Sequence, residues 1–387
     1  MPDIFSETTQ IGWFSRIGKS IKGVLVGMLL VAVSVIVLFW GEGRAVYRAQ
    51  ALAEGKSNVV SVDAAEVNPA NEGKLIHLSA NASSKDGIED ADFGVEAPGV
   101  IRLARKVEMY QWKQHEKSET RKQLGGGEET TTTYSYDKVW DAGLIDSANF
   151  KQSGHPNPTK LPAQSETWNA PDAKLGAFEL NAVVLDQLTT GQPLAAPEAA
   201  LENIKNEALS DKHHSISQGM IYFGNASSPA VGDVRVSYSQ WPSGPLSVVA
   251  RQTKSTFEPY PAKTGEVLLA QVGTFSAEAM FKQAEEENAM ITWIIRGVGF
   301  VVIWIGIGMI LSPLATIADV VPFIGSIIGT GTFIAAFVCA MPIWMTTVAI
   351  AWIFYRPLIG IALLVVGIGV PVMVMRMRKS APKAAAA

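Results

Sequence analysis

The sequence predicts a multi-pass α-helical membrane protein with four spans and a large β-rich (α+β) extracytoplasmic domain between span 1 and span 2. Hydrophobic residues make up 48% of the 387-residue chain, and long uncharged runs of them lie near both ends. The middle of the chain instead alternates apolar and polar residues with the period of two that is typical of half-buried β-strands. The length allows one soluble domain in addition to the spans.

The first uncharged run is long enough to cross a bilayer. Residues 23–41 contain no charge, and at about 1.5 Å per residue they extend for about 28 Å, close to the thickness of a hydrocarbon core. We therefore predict an N-terminal segment over 1–22 and transmembrane helix 1 over 23–41. A cleaved signal peptide is the alternative, because “AQA” at 49–51 resembles a cleavage site. The apolar part of a signal peptide is about 7–15 residues long, which favours an uncleaved anchor.

The last third of the chain is apolar almost throughout. Its interruptions predict transmembrane helix 2 over 291–312, helix 3 over 331–354 and helix 4 over 357–375. The intervening segment 313–330 contains Pro, Asp and Gly but is otherwise apolar. We predict that it is re-entrant or interfacial, with its backbone hydrogen bonds satisfied by neighbouring helices.

Charges near the spans predict the orientation. Three basic residues precede span 1, and a basic cluster opens the tail 376–387. Since positive flanks mark the cytoplasmic side, both tails are predicted to be cytoplasmic. Residues 42–290 then form a domain in the periplasm or in an organelle lumen. Trp40 and Trp293 would anchor the helices at that interface, as tryptophans commonly do.

The central domain is predicted from short alternating segments separated by turn residues. These segments are 75–80, 107–112, 130–140, 234–240, 246–252 and 266–275. The three glycines at 125–127 are predicted to form a hairpin tip between the second and third of them. A helix is expected over 196–214, where apolar residues recur at helical spacing. Another helix should begin at Ser276, whose hydroxyl can cap it, and should continue into the membrane.

Composition and motifs argue against several functional classes. A formal net charge of −4 gives no basic face for nucleic acid. The single cysteine, Cys339, cannot form an intrachain disulfide, and its apolar surroundings predict a buried thiol. The chain contains no HExxH, GxSxG, GxGxxG or Walker motif. We therefore assign no catalytic residue, cofactor or metal ligand, and predict that the protein is not an enzyme.

Ten segments, in order along the chain, carry a family resemblance. They are “EGRAV” (42–46), “ALAEG” (51–55), “NEGKLIH” (71–77), “VEMYQW” (107–112), “YSYDKVW” (134–140) with “NF” (149–150), “VGDVRVSY” (231–238), “VVARQ” (248–252), “FSAEAMF” (275–281), “TWIIRG” (292–297) and “FYRPL” (354–358). With them the sequence resembles the transmembrane protein 43 family, also called LUMA, over most of its length.

The resemblance implies a four-span protein with a large lumenal domain between the first two spans. It also implies a non-enzymatic role in self-association and in organising membrane protein complexes. Animal members are associated with the endoplasmic reticulum and the inner nuclear membrane. The short N-terminal tail and the alanine-rich C-terminus fit a bacterial member, whose location would be the inner membrane. The segment 313–330 is more apolar than the resemblance implies.

Arg296 is a charged residue close to the outer end of predicted helix 2. One interpretation is an anchor whose guanidinium extends back to the headgroups beside Trp293. The other is an interior residue, paired with a carboxylate or with a lipid phosphate. Glu42, at the outer end of span 1, is the partner that we predict.

Two functional hypotheses follow. The first is a non-enzymatic membrane scaffold that self-associates and also has membrane lipids and other membrane proteins as partners. Gly23 with Gly27, and Gly325 with Gly329, have the small-xxx-small spacing that allows close helix contacts. The alternative is a lipid-binding, lipid-handling or transport protein that uses the transmembrane region.

Overall fold

The computed structural model describes residues 4–357. Predicted helix 4, apart from its first residue, and the predicted cytoplasmic tail therefore lie outside the described residues. The chain divides into two compact units. The β-rich unit comprises Ala51–Glu119, Thr130–Ala284 and the chain up to Thr8; the helical unit comprises Thr9–Gln50, Thr120–Glu129 and the chain from Glu285 onward.

The described residues contain four α-helices and nineteen short or long β-strands. The helices are α1 (Trp13–Asn58), α2 (Ala182–Leu185), α3 (Ala277–Ala318) and α4 (Pro322–Tyr355), with 3-10 turns at Pro69–Asn71, Ser147–Asn149 and Glu198–Asn203. The strands are β1 (Ile4–Ile11), β2 (Val60–Ser61), β3 (Leu75–Ser83), β4 (Ile88–Asp90), β5 (Val95–Ala97), β6 (Val100–Lys122), β7 (Glu128–Asp141), β8 (Glu166–Asn169), β9 (Lys174–Leu175), β10 (Phe178–Glu179), β11 (Gln192–Leu194), β12 (His214–Ser217), β13 (Met220–Phe223), β14 (Val234–Pro242), β15 (Gly244–Thr253), β16 (Thr256–Glu258), β17 (Tyr260–Ala262), β18 (Gly265–Val267) and β19 (Leu269–Val272).

Two large sheets organise the β-rich unit. The first has eight strands in the order β1-β7-β6-β14-β13-β12, with β11 added on β14 and β8 on β6. The second has seven strands in the order β10-β9-β3-β15-β16, with β19 added on β15 and β2 on β3. The alternation predicted for 234–240 is confirmed, because Val234, Val236 and Tyr238 of β14 are all buried. The predicted β-rich region is therefore present.

One hydrophobic core contains side chains from both large sheets. Leu103 of β6 and Val236 of β14 belong to the first sheet, while Ile76 of β3 and Val248 of β15 belong to the second. All four are essentially inaccessible to solvent. The two sheets therefore pack face to face, and burial of these apolar side chains stabilises the unit.

The other face of the seven-stranded sheet is covered by helical residues of the same unit. Leu75 of β3 and Val249 of β15 pack against Leu52 of α1 and Phe281 of α3 in a second cluster. The expected helix start is confirmed, since the Ser276 hydroxyl accepts a hydrogen bond from the Ala279 amide at 3.2 Å. The C-terminal part of α1 and the N-terminal part of α3 thus belong to the β-rich unit.

A buried charge network in this unit was not anticipated from the sequence. Arg105 of β6 donates to both carboxylate oxygens of Asp90, at 2.7 and 2.8 Å, and lies 4.9 Å from the ring centroid of Phe93. The Tyr238 hydroxyl donates to the same carboxylate at 2.7 Å. Burial, together with the charge of Asp90, raises the pKa of the Tyr238 phenol, which keeps it protonated as a donor. One buried carboxylate thus joins side chains of β4, β6 and β14.

The helix predicted over 196–214 is wrong. Only a 3-10 turn, Glu198–Asn203, forms there, and β12 begins at His214. The side-chain amide (Nδ2) of Asn203 donates to the Ala199 carbonyl, and the side-chain oxygen (Oδ1) of Asn206 accepts from the Ala208 backbone amide. These local bonds compete with helical ones, which is why asparagine disfavours helix interiors.

Helices α1, α3 and α4 are long and apolar enough to cross a membrane. Residues 313–330, predicted as a separate segment, instead complete α3, make a turn and begin α4 at Pro322. Pro313 lies inside α3, where it cannot donate to the Met309 carbonyl. The Ser312 hydroxyl donates to that carbonyl at 2.8 Å. Because this bond satisfies the carbonyl, α3 extends beyond the predicted end of helix 2.

Within the helical unit, α1 and α3 approach each other closely through small residues. A Cβ atom on Gly27 would clash with the carbonyl oxygen of Gly306, and one on Gly306 would lie 2.8 Å from the Gly27 carbonyl oxygen. Seven residues further along α1, the Ser34 hydroxyl donates to the Gly299 carbonyl at 2.9 Å. Gly27 therefore serves a contact within one chain, where close backbone approach increases helix packing.

We predict that Gly27→Leu destabilises the helical unit by about 1–3 kcal/mol, because the larger side chain must separate α1 from α3. Gly329→Leu is the matched control, since a Cβ atom there meets nothing within 4 Å. The measurement is the melting temperature of the detergent-solubilised full chain. Equal melting temperatures for the two variants would contradict the close contact.

Candidate functional site

Arg296, which the sequence places near the outer end of predicted helix 2, belongs to a buried ion pair in the helical unit. Nε of Arg296 donates to Oε1 of Glu42 at 2.5 Å, and a second guanidinium nitrogen donates to Oε2 at 2.9 Å. The exposed fractions of the two side chains are 13% and 4%. Two parallel hydrogen bonds make this the geometry in which arginine and carboxylate pair most strongly.

Tryptophans surround the pair, and we call the whole group the Glu42 cluster (Glu42, Arg296, Trp293, Trp344 and Trp352). Nε1 of Trp352 donates to Oε2 of Glu42 at 2.9 Å, and Nε1 of Trp344 donates to the Arg296 carbonyl at 3.0 Å. The Arg296 guanidinium carbon lies 4.9 Å from the Trp293 ring centroid and 5.5 Å from that of Trp352. Side chains of α1, α3 and α4 thus converge on one carboxylate.

The geometry distinguishes the two interpretations of Arg296. An anchor at the headgroups would leave the guanidinium in solvent, whereas the described side chain is directed at Glu42 and mostly covered. Removing one member of a buried pair leaves the other charge uncompensated, which costs more than the pair itself contributes. The cluster therefore joins three helices through one interaction that depends on all its members.

A second buried carboxylate lies directly after the C-terminal end of α3. Asp319, whose side chain is 2% exposed, accepts from Arg16 at 2.6 Å and from Lys122 at 2.6 Å. Arg16 also pairs with Glu128 at 2.8 Å. We call these four residues the Asp319 cluster. It joins the start of α1, the hairpin between β6 and β7 and the turn between α3 and α4.

The tip of the β6–β7 hairpin takes part in this contact. The predicted tip at 125–127 is confirmed, with β6 ending at Lys122 and β7 starting at Glu128. The Gly125 amide donates to the Val320 carbonyl at 3.1 Å, and the Arg16 guanidinium donates to the Gly126 carbonyl at 2.6 Å. Gly126 has a φ of +80°, and a Cβ atom there would clash with the Trp13 ring. Glycine is therefore required at this position.

The remaining predicted residues are distributed along the helices. A Cβ atom added to Gly23 would lie 3.9 Å from the Met309 side chain. Gly325 packs against Asp319, whereas a Cβ atom on Gly329 would meet nothing within 4 Å. Trp40 and Trp293 are 63% and 65% exposed, respectively. Trp293 therefore combines an exposed ring with a cation–π contact to Arg296.

Sequence reasoning missed the Asp319 cluster. Asp319 entered the sequence analysis only as the aspartate of segment 313–330, and the three glycines only as a hairpin tip. The signal that the sequence offered was the position of Asp319, since an aspartate between two apolar helices needs a cationic partner. Nothing in the sequence indicated that Lys122 is one of them. Cys339, expected to be buried, is exposed on α4.

The described residues contain no group of three or more His, Cys, Asp or Glu side chains that could hold a metal ion. The sequence comparisons place the chain in a family. The family model described as Transmembrane protein 43 matches residues 109–357. Transmembrane protein 43 of Homo sapiens is 34% identical over 394 residues, covering 97% of this chain and 95% of the human protein.

The chain belongs to the transmembrane protein 43 family. The rat protein of the same name is 34% identical over 365 residues, covering 90% of this chain and 88% of its own length. The Drosophila melanogaster homologue is 29% identical over 360 residues, covering 89% and 91% of the two chains. No solved structure matches the chain. The region matched by the family model contains Arg296, Lys122, Glu128 and Asp319, whereas Glu42 and Arg16 precede it.

We predict that Arg296→Leu lowers the stability of the helical unit by about 3–5 kcal/mol, because Glu42 is left buried without a partner. Arg296→Lys should cause a smaller loss, since lysine keeps the charge but cannot reproduce the two-point geometry. Glu42→Gln should resemble Arg296→Leu. The measurement is thermal unfolding of the purified full chain.

Lys19→Gln is the matched control, because Lys19 is an exposed basic residue of α1. The combination of Glu42→Gln with Arg296→Leu should lose less stability than the two single losses added together, because no unpaired charge is left. Identical unfolding of wild type, Arg296→Lys and Arg296→Leu would show that the pair contributes nothing.

Proposed function

We propose that this member of the transmembrane protein 43 family is a non-enzymatic integral membrane scaffold that self-associates through its helices. Copies of the chain would be its first partners, together with membrane lipids and other membrane proteins. The β-rich unit would be presented on the extracytoplasmic side, in the periplasm of a bacterium or in the lumen of the endoplasmic reticulum and nuclear envelope of a eukaryote.

The observation that carries this proposal is the outward face of α4. Gly331, Ala335 and Cys339 are exposed in the single chain and follow one another at intervals of four residues. A Cβ atom on Gly331 meets nothing within 4 Å. Small residues at this spacing allow two helices to approach closely in a lipid environment, where packing replaces the hydrophobic effect as the driving force.

Burial of the polar groups supports the same conclusion. Glu42 is satisfied by Arg296 and Trp352 of its own chain, so the Glu42 cluster needs no further partner. By contrast, bulky apolar side chains of all three helices remain exposed. They include Leu29, Ile36, Val298, Ile305, Phe333 and Val338. A preassembled bundle with an apolar exterior is suited to lateral association in a bilayer.

The only cysteine of the chain provides a direct test. We predict that mild oxidation of membranes containing the full chain produces a disulfide-linked dimer, which must join Cys339 to Cys339. Ala335→Leu should reduce the dimer several-fold, because the bulkier side chain separates the α4 helices. Gly297→Leu is the control, since Gly297 is equally exposed but lies on α3.

Native mass spectrometry of the detergent-solubilised wild type gives the second measurement. A defined oligomer is expected. A monomer in native mass spectrometry, together with no disulfide-linked dimer, would contradict the scaffold. A monomer carrying co-purified lipid would favour the alternative, a lipid-binding or lipid-handling protein.

A further inference from the structure

A stripe of side chains on α1 changes in chemical character along the helix. Val33, Ile36 and Trp40 are 47%, 66% and 63% exposed, and Arg44 and Arg48 follow Trp40 at intervals of four residues. Residues three or four apart in a helix lie on the same face, one above the other. This face of α1 therefore passes from aliphatic side chains to an indole ring and then to two guanidiniums.

The position of the two arginines matches the headgroup layer of a bilayer. The uncharged stretch of α1 ends at residue 41, so the backbone of Arg44 lies about 4–5 Å beyond it and that of Arg48 about 10 Å beyond it. The headgroup layer is about 5–8 Å thick on each side. Helical side chains tilt toward the N-terminus, which here is the direction of the uncharged stretch. If that stretch crosses a membrane, both guanidiniums reach the same layer.

Arg44 is held in place by a neutral partner. Its Nη2 donates to Oδ1 of Asn288 at 3.1 Å, and Nδ2 of the same asparagine donates to the Ala45 carbonyl at 2.9 Å. Within the described part of the chain, Nε of Arg44 is buried and has no hydrogen-bond partner. A guanidinium has five N–H donors and a full positive charge. Asn288 therefore orients Arg44 without compensating its charge.

Arg48 adds a second positive charge about one turn further along α1. The two guanidiniums are close enough for the charge of Arg44 to act unfavourably on that of Arg48, and the charge of Glu287 in α3 acts in the opposite sense. Both arginines are half-buried. Since a nearby anion stabilises the charged form of each guanidinium, two neighbouring cations in such a place favour a bound anion.

We propose that Arg44 and Arg48 bind the phosphate of an anionic phospholipid, with an acyl chain along Ile36 and Val33 and the glycerol beside Trp40. Arginine suits this ligand because its planar fork donates two hydrogen bonds to phosphate oxygens. Two cations select a lipid of net negative charge over a zwitterionic one, whose own cation they repel. The inference deepens the lipid partnership of the proposed function and rests on it, but it does not depend on self-association.

Native mass spectrometry of the delipidated, detergent-solubilised full chain tests the site. The probes are phosphatidylglycerol, which has a net negative charge, and phosphatidylcholine, which is zwitterionic. We expect the wild type to bind phosphatidylglycerol about ten-fold more tightly than phosphatidylcholine. Arg44→Gln combined with Arg48→Gln should weaken phosphatidylglycerol binding about ten-fold and phosphatidylcholine binding much less. Equal affinity of this double glutamine variant and the wild type for phosphatidylglycerol would overturn the proposal.

Two further variants separate a specific site from the general charge of the helix. Lys56→Gln removes a positive charge from an exposed position of α1, about 22 Å beyond the uncharged stretch, and should bind phosphatidylglycerol as the wild type does. Arg44→Lys combined with Arg48→Lys keeps both charges but loses the planar fork, so its affinity should be intermediate. An equal loss in Lys56→Gln and in the double glutamine variant would overturn the site.

Melting temperatures show whether the variants are folded and identify the source of the phosphate. Phosphatidylglycerol should raise the melting temperature of the wild type, because it binds the folded state, and should leave that of the double glutamine variant unchanged. Inorganic phosphate and glycerol phosphate should not reproduce the shift, since they have no acyl chain to lie along α1. An equal shift with either would overturn the lipid as the ligand. If the double glutamine variant does not unfold cooperatively, wild-type affinity in the double lysine variant would overturn the proposal.

The outcomes separate this site from the scaffold. A monomer that binds phosphatidylglycerol through Arg44 and Arg48 would contradict self-association and support the site. A defined oligomer whose double glutamine variant binds phosphatidylglycerol as the wild type does would support the scaffold and overturn the site.

Discussion

The close approach of α1 and α3 is the contact on which the rest of the helical unit depends. At Gly27 and Gly306 the two backbones come near enough that neither position can accept a side chain without displacement. This proximity continues to Ser34, whose hydroxyl reaches the Gly299 carbonyl. Because the helices are antiparallel and close, the Glu42 carboxylate of α1 lies within reach of the Arg296 guanidinium of α3.

The Glu42 cluster adds a specific register to this packing. Small residues allow close contact but discriminate weakly between neighbouring alignments of two helices. A two-point ion pair tolerates little sliding, since a shift of one turn, about 5.4 Å, would break both hydrogen bonds. Trp352 extends the same constraint to α4 through its bond to Glu42. Buried polar groups of this kind contribute specificity more than net stability.

Much of the architecture could be predicted from patterns that act locally. The alternation in β14 predicted its buried face, the glycines at 125–127 predicted a hairpin, and Ser276 predicted the start of α3. The uncharged runs predicted the three long apolar helices of the described residues. The pairing of Arg296 with Glu42 followed from a long-range argument, namely that a charge near an apolar helix end needs a partner close to the same depth.

Other features depended on information that the sequence does not display. The helix expected over 196–214 does not form, because asparagine side chains compete for backbone groups there, and the apolar spacing gave no sign of this competition. The length of α3 depended on whether the Ser312 hydroxyl could donate to the Met309 carbonyl in place of the N–H that Pro313 lacks. The ion pair of Lys122 and Asp319 joins residues far apart in the chain, and no local motif around either residue indicates its partner.

The Asp319 cluster also has a consequence for the order in which the protein matures. Its members come from the start of α1, from the hairpin and from the turn after α3. During synthesis the hairpin is complete long before the ribosome reaches Asp319. Until then Arg16 has only Glu128 of this cluster as an acidic partner, and the site that receives Gly125 does not exist. Docking of the tip is therefore a late event in biogenesis, deferred until the last described helices have been made.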